Sequence, residues 1–201
     1  VEHLLLTAGP CTHVFHLAAM TFVPEANANP APAFEANLLG TVHLAEGMRT
    51  LQPEARLIFI GSAEAYGPPQ FLPMTEEHPL VPQNPYAISK AAADHYCAYL
   101  SKRGALPIIR MRPFNHSGPG QSEHFVLSSF ARQIAEIELG LAEPILRVGD
   151  LSAARDFSHV QDVVRAYEVV ARKGQVGEAY NVCSGRARTV DEALRMLLEQ
   201  S

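Results

Sequence analysis

Short apolar runs alternating with helical stretches constrain this chain more than any other feature. His13–Ala19 reads as a buried strand that breaks at small residues, and Asn37–Met48 lies inside a helical run. Arg56–Ile60, Leu106–Arg112 and Ala179–Val182 read as further strands, and Ile145–Val148 as a short one. A helix opens near Pro85. Another, from about Phe125 to Gly140, carries Phe130, Ile134, Ile137 and Leu141 on one side. The segment from Arg155 leads into a helix ending near Lys173, and Thr189 caps a last helix through Leu198. Phe114–Gln121, with Gly118 and Gly120, reads as loop. Strands and helices in this order predict an α/β fold around a parallel sheet. The proline-rich stretch Pro68–Pro82 is expected to form a rigid wall of a site rather than a domain boundary.

Composition narrows the class. A chain of 201 residues that is 47% hydrophobic can bury a proper core. A net charge of -5 and a pI near 6.0 offer no basic surface for nucleic acid. No apolar run reaches bilayer length, and no signal peptide is visible at Val1-Glu2-His3, so a cytoplasmic, membrane-free protein is expected. Cys11, Cys97 and Cys183 are scattered without a CxxC, which suits a reducing compartment. His13 and His16 stand three apart in a strand and therefore face opposite sides, so no metal site is assigned.

The chemistry concentrates at Asn84-Pro85-Tyr86-Ala87-Ile88-Ser89-Lys90. Residues four apart on a helix are neighbours, which sets the Tyr86 phenol beside the Lys90 ammonium. A nearby positive charge lowers a phenol from its free value of about 10 and makes it a candidate proton donor. Tyr-x-x-x-Lys alone also occurs on ordinary helix surfaces. Its context is what lifts it: a strand at Arg56–Ile60 ends in Gly61-Ser62-Ala63-Glu64, and Asn37 stands in the helix before that strand.

That order of Asn37, Ser62, Tyr86 and Lys90 resembles the extended, nucleotide-sugar-modifying branch of the short-chain dehydrogenase/reductase superfamily. Arg112-Pro113-Phe114-Asn115-His116-Ser117-Gly118-Pro119-Gly120-Gln121, Arg147-Val148-Gly149-Asp150-Leu151, Ala154-Arg155-Asp156-Phe157 and Tyr180-Asn181-Val182 are similar to the GDP-6-deoxy-4-ketomannose reductases. The resemblance implies a Rossmann-like, doubly wound parallel sheet with part of a small substrate-binding α/β region. Residues 1–112 would form the later half of a dinucleotide-binding domain, and 113–201 an interleaved segment contributing the nucleotide-sugar region. The family's Gly-rich phosphate turn is absent from the sequence, so the chain is expected to be an interior piece that begins near the family's fourth strand. It is likewise expected to stop before the last segment of the substrate domain.

The resemblance also implies roles. Tyr86 would give its proton to a forming alkoxide, Lys90 would hold the nicotinamide ribose and keep the phenol acidic, Ser62 would hydrogen-bond the carbonyl oxygen, and Asn37 would support them. NADP or NAD would lie along Leu17, Ala18, Ala19, Ile60 and Pro113, with His116 near the nicotinamide amide or serving only to pack its loop. A GDP-linked deoxyketosugar would meet Thr21, Ser62, Asn115 and Val126. Arg155 and Arg132 would neutralise the diphosphate, although Arg132 reads equally as a solvated helix residue. Asp150 stands where relatives carry Asn near the nucleotide. Glu64 has two readings: the base that removes a sugar C5 proton in dehydratases, or a structural carboxylate that accepts backbone amides. Three functions stay open at this point: a ketosugar reductase, a dehydratase or epimerase that retains its cofactor, and a catalytically incomplete scaffold. A homodimer is expected through the helices around Pro32–Leu51 and after Pro85.

Overall fold

The structure is a computed structural model that describes residues 1–201. It divides into two compact units, Val1–Phe114 with Val164–Val182, and Asn115–Val163 with Cys183–Ser201.

In the first unit, helix α1 (Glu2–Ala8) precedes strand β1 (His13–His16), and two short helices, α2 (Val23–Ala28) and α3 (Pro30–Phe34), follow it. A π-helical turn, Glu35–Leu39, runs on into α4 (Gly40–Leu51). Next come β2 (Arg56–Ile60), a 3-10 turn at Ala63–Tyr66, helix α5 (Pro85–Lys102) and β3 (Ile108–Pro113). Strand β6 (Ala179–Val182) completes a four-stranded sheet in the order β1-β2-β3-β6, every pair parallel. Parallel strands are buried on both faces and read as continuous apolar runs, which is why β2 and β3 were legible in sequence. Leu57, Phe59 and Ile108 pack with Met48, Cys97 and Leu100 into one core. β1 forms an edge of the sheet and leaves Phe15 and Leu17 exposed. His13 and His16 turn to different neighbours, the Ala171 carbonyl and the Thr41 hydroxyl.

The second unit holds a three-stranded sheet of β4 (Asn115–Ser117), β5 (Ala154–His159) and β7 (Ala187–Thr189) in the order β4-β5-β7. Helix α6 (Val126–Glu138) packs against α8 (Val190–Leu198) through Phe130, Ile134, Val190 and Leu194. Helix α7 (Val160–Lys173) starts in this unit and continues in the first. Thr189 caps α8 as expected, in a capping box with Glu192.

Two expectations fail here. Ile145–Val148 forms no strand, because the Gln133 side chain takes both backbone groups of Arg147, accepting its N–H at 2.8 Å and donating to its carbonyl at 3.2 Å. With those groups satisfied there is no ladder left to join. Asn115–Ser117, expected as loop, is strand β4, paired parallel with Phe157–His159. Three residues carry no readable periodicity when their partner lies so far along the chain.

Beneath α5 lies a buried charge network that sequence reasoning missed. Asp94 accepts from Arg110 at 2.8 Å and from Arg112 at 3.0 and 2.9 Å. Arg112 also donates to the Tyr66 hydroxyl at 3.0 Å and to the Glu76 carbonyl at 2.9 Å. Asn181 ties in the same proline-rich stretch, donating to the Met74 carbonyl and to the Glu76 carboxylate. The wall at 68–82 is therefore fastened to β3 and β6 by hydrogen bonds. Gly67 permits the entry turn, since its φ of 69° favours glycine and a Cβ there would overlap the Val81 carbonyl.

Burial pushes the Asp94 carboxyl up, but hydrogen bonds and charge from Arg112 and Arg110 push it down and win. A carboxyl depressed in the folded state stabilises above its unfolded pKa of about 3.9, and that contribution fades as pH falls through the folded value. Asp94→Ala leaves two guanidiniums uncompensated and is expected to cost about 3–5 kcal/mol at pH 7 in urea unfolding. The gap from the parent chain is expected to narrow below about pH 4.

Candidate active site

Parallel α/β sheets bind ligands beyond the carboxyl ends of their strands. In the first unit that edge collects the ends of β1 and β2 and the start of α5. Ser62 follows β2 directly. Gly61 allows the sharp departure, since a Cβ there would lie 2.9 Å from the Met111 carbonyl. The Ser62 hydroxyl accepts from the Glu64 amide at 3.2 Å and so caps the 3-10 turn. Asn84 caps α5 by accepting from the Ala87 amide at 2.8 Å, and Pro85 fills the first helical position. These caps fix where Tyr86 enters the helix.

Ser62, Tyr86, Lys90 and Asn37 are all buried in this unit. Burial pushes the Tyr86 phenol above its ordinary value, the Ser62 side chain pulls it back, and the Glu64 charge pushes it up further. The expected lowering by Lys90 does not occur. The ammonium is directed instead at the Ile60 carbonyl, 2.6 Å away, and sits over the Phe59 ring. Burial brings Lys90 itself down to about 8. The polar groups that act on the phenol are therefore Ser62 and Glu64.

Asn37 is a clamp. It accepts from the Met20 amide at 2.8 Å, and it donates to the Met20 carbonyl at 3.0 Å and to the Ser89 hydroxyl at 2.9 Å. Ser89 in turn donates to the Tyr86 carbonyl at 2.7 Å. The π-helical turn exposes the Asn37 carbonyl to Thr41, whose hydroxyl donates to it at 2.6 Å. That uses the only Thr41 hydroxyl proton, so His16 Nε2, 2.9 Å away, must be the donor to Thr41. His16 therefore carries a proton on Nε2, and burial and Lys90, which push its pKa down to about 4, keep the ring neutral at pH 7. Ser89 was missed as a site residue, and His16 was expected to serve only through its backbone, along the adenosine of the cofactor. The only available signal for Ser89 was a small hydroxyl on the inward face of α5.

The other candidates divide between the units. Leu17, Ala18, Ala19 and Thr21 follow β1, with Leu17, Ala18 and Thr21 exposed, and Ile60 and Pro113 end β2 and β3. Glu64 is exposed, and its carboxylate accepts no backbone amide, so the structural reading of that residue has no support. In the second unit Asn115, Val126, Asp150 and Arg155 line one cavity of ≈ 300 Å³, together with Phe130, Phe157 and Val190. Asp150 is turned into its own loop, accepting from the Ser152 amide and hydroxyl, which hold its carboxyl below the usual range. His116 lies half-buried on β4. Arg132 is not in this cavity. It lines a separate groove beside Gln133 and Arg147, and ion pairs with Glu123 and Glu136 occupy it.

The buried ammonium gives a measurable pH signature. A lysine whose pKa falls from 10.5 to about 8 on folding destabilises the fold while it is charged. That penalty is fully present below pH 8 and is relieved between 8 and 10.5. Relative to Lys90→Met, the parent chain is expected to gain on the order of 3 kcal/mol in urea unfolding as pH rises from 7 toward 10.

Known proteins place this geometry. The sequence matches the GDP-mannose 4,6 dehydratase family over residues 2–200. It is 41% identical over 188 residues to the GDP-6-deoxy-D-mannose reductase of Pseudomonas aeruginosa, covering 92% of this chain and 62% of that protein. The structure of RMD from Pseudomonas aeruginosa complexed with NADPH superposes with a TM-score of 0.91 at 40% identity, covering 95% of this chain and 65% of that one. The Thermus thermophilus UDP-glucose 4-epimerase complex with NAD gives 0.86 at 32% identity, over 98% of this chain and 64% of that one. The chain thus spans less than two thirds of the length of each of these relatives. With the parallel sheet and the Ser62–Tyr86–Lys90 arrangement on its carboxyl edge, the match establishes that this chain belongs to the GDP-mannose 4,6-dehydratase family and has the Rossmann-like fold of the extended short-chain dehydrogenases/reductases.

Proposed function

We propose that this protein is a nucleotide-sugar oxidoreductase that reduces the C4 ketone of GDP-4-dehydro-6-deoxy-mannose with NADPH or NADH. The observation that carries the reading is the buried Tyr86 phenol, with the Ser62 side chain acting on it and Lys90 desolvated one helical turn away, in a chain 41% identical to a GDP-6-deoxy-D-mannose reductase.

The residues suit a nicotinamide dinucleotide. Lys90 spends one of its three N–H donors on Ile60, which leaves two for the hydroxyls of a ribose. The chain after β1 presents small residues, Ala18 and Ala19, that let a ligand approach the backbone. Leu17, Ile60 and Pro113 would line the same ligand, with His116 as a further candidate. When bound, the nicotinamide supplies hydride to the ketone carbon. Tyr86 donates its phenolic proton to the oxygen as negative charge develops there, and Ser62 donates a hydrogen bond to that oxygen and orients it. A phenol with a raised pKa stays protonated at neutral pH and arrives ready to donate. Asn37 acts through Ser89, and His16 through Thr41, to hold Tyr86 in place. In the second unit, Arg155 and Asn115 would take the diphosphate.

Glu64 supports a second reading. It is exposed and its charge is felt by Tyr86, which suits a base for C5 proton removal in a 4,6-dehydratase. The product separates the two: a reductase consumes one reduced cofactor per sugar, a dehydratase none. We further propose a cytoplasmic homodimer. No helix is long and apolar enough to cross a membrane, and Ile88, His95 and Tyr99 leave an exposed stripe on α5 with Leu39 exposed just before α4.

Purified protein mixed with GDP-4-dehydro-6-deoxy-mannose and NADPH is expected to lose absorbance at the nicotinamide band stoichiometrically. Tyr86→Phe is expected to slow that loss by about 10²-fold or more. A parent protein that leaves NADPH untouched but releases the ketosugar from GDP-mannose would replace the reductase reading with the dehydratase one.

A further inference from the structure

Antiparallel strands β5 and β7 set Arg155 directly opposite Arg188. Residues paired this way project from the same face with Cβ atoms about 5 Å apart, and like charges there repel. No carboxylate forms a salt bridge with either guanidinium, and the single hydrogen bond of Arg155 goes to the neighbouring Ala154 carbonyl at 2.8 Å. By contrast Arg132, Arg172 and Arg195 are each paired with a carboxylate.

The acids nearby are committed elsewhere. Asp150 serves Ser152, and Asp156 accepts from the amides of Ser184, Gly185 and Arg186. Asp191 pairs with Arg195. Glu192, whose carboxyl feels the Arg188 charge, is turned back onto the Thr189 amide and hydroxyl. Two cations without a salt bridge therefore face each other across this pair of strands.

Alternation along the strands says where they aim. Arg155 and Phe157 share one face of β5, and Asn115 of β4 pairs with Phe157. All three line the ≈ 300 Å³ cavity. Arg188 does not line the cavity itself, but as the cross-strand partner of Arg155 it projects from the same face of the sheet.

We propose that Arg188 is a substrate-binding residue, forming with Arg155 a two-armed clamp for the diphosphate of a nucleoside diphosphate. The inference rests on the nucleotide-sugar reading above and extends it to a residue on a strand that the sequence did not reveal. Two planar guanidiniums match two phosphoryl groups, and an anion between them removes the repulsion that each suffers alone.

The test is calorimetric binding of GDP and GMP to the full chain and to Arg188→Ala, Arg188→Lys and Arg155→Ala, with thermal unfolding of each without ligand. Arg188→Ala is expected to weaken GDP about 10-fold, to weaken GMP less, and to flatten the salt dependence of GDP binding. Arg188→Lys is expected to restore part of the loss. Without nucleotide, Arg188→Ala is expected to melt at the parent temperature or above it, because a repulsion is gone. GDP affinity unchanged in Arg188→Ala but reduced in Arg155→Ala would overturn the role of Arg188 and leave the nucleotide reading standing. A lowered melting temperature with unchanged GDP affinity would overturn it as well, by showing a structural role. If GDP fails to bind the parent chain, or Arg155→Ala changes nothing, the nucleotide reading of the cavity falls and takes the clamp with it.

Discussion

Helix α5 turns polar residues toward the sheet, and the site depends on how each is satisfied. A buried polar group without a partner costs about 1–3 kcal/mol, and a charged one more. Ser89, Lys90 and Asp94 all lie on that inward face. Ser89 is held by Asn37, Lys90 by the Ile60 carbonyl, and Asp94 by Arg110 and Arg112. The three attachments reach the turn before α4, the end of β2 and strand β3. A helix held only by apolar contacts could slide or roll by a fraction of a turn, whereas hydrogen bonds of fixed length cannot follow such a motion. Tyr86 is thereby placed beside Ser62.

The same arrangement sets the electrostatics. Lys90 is kept in a place that disfavours its charge, and the Tyr86 phenol is raised by burial rather than activated by the ammonium. His16, at the far end of the chain through Thr41 and Asn37, stays neutral because its ring is buried and its Nε2–H is needed as a donor. The second unit uses charge in the opposite way. Its sheet sets Arg155, which lines the cavity, opposite Arg188 with no salt bridge to either, where repulsion is tolerable because both residues are exposed.

What was legible in sequence follows the range of the signal. β2 could be read because it is apolar from Leu57 to Ile60, β3 because Ile108, Ile109 and Met111 outweigh its two arginines, and α5 because Asn84 and Pro85 announce its start. Ser62, Tyr86, Lys90 and Asn37 were found by type and spacing, and they do gather in one unit. The shift of the Tyr86 phenol was misjudged, because four-residue spacing tells which side chains are neighbours but not where the ammonium points. Asp94, Arg110 and Arg112 gave no local pattern, since their bonds join a helix to a strand. β4 and β7, three residues each, owe their existence to β5. Arg132 read equally as a diphosphate ligand and as a solvated helix residue, and its ion pairs with Glu123 and Glu136 favour the second.

The most direct test of this account is the pKa of the Tyr86 phenol, followed by NMR of the protein labelled with ¹³Cζ-tyrosine and assigned by its loss in Tyr86→Phe. The account predicts a value above the ordinary 10, moving higher still in Ser62→Ala and lower in Glu64→Gln. A value below 10 that rises when Lys90 is replaced by Met would contradict it, and would return control of the proton donor to the ammonium.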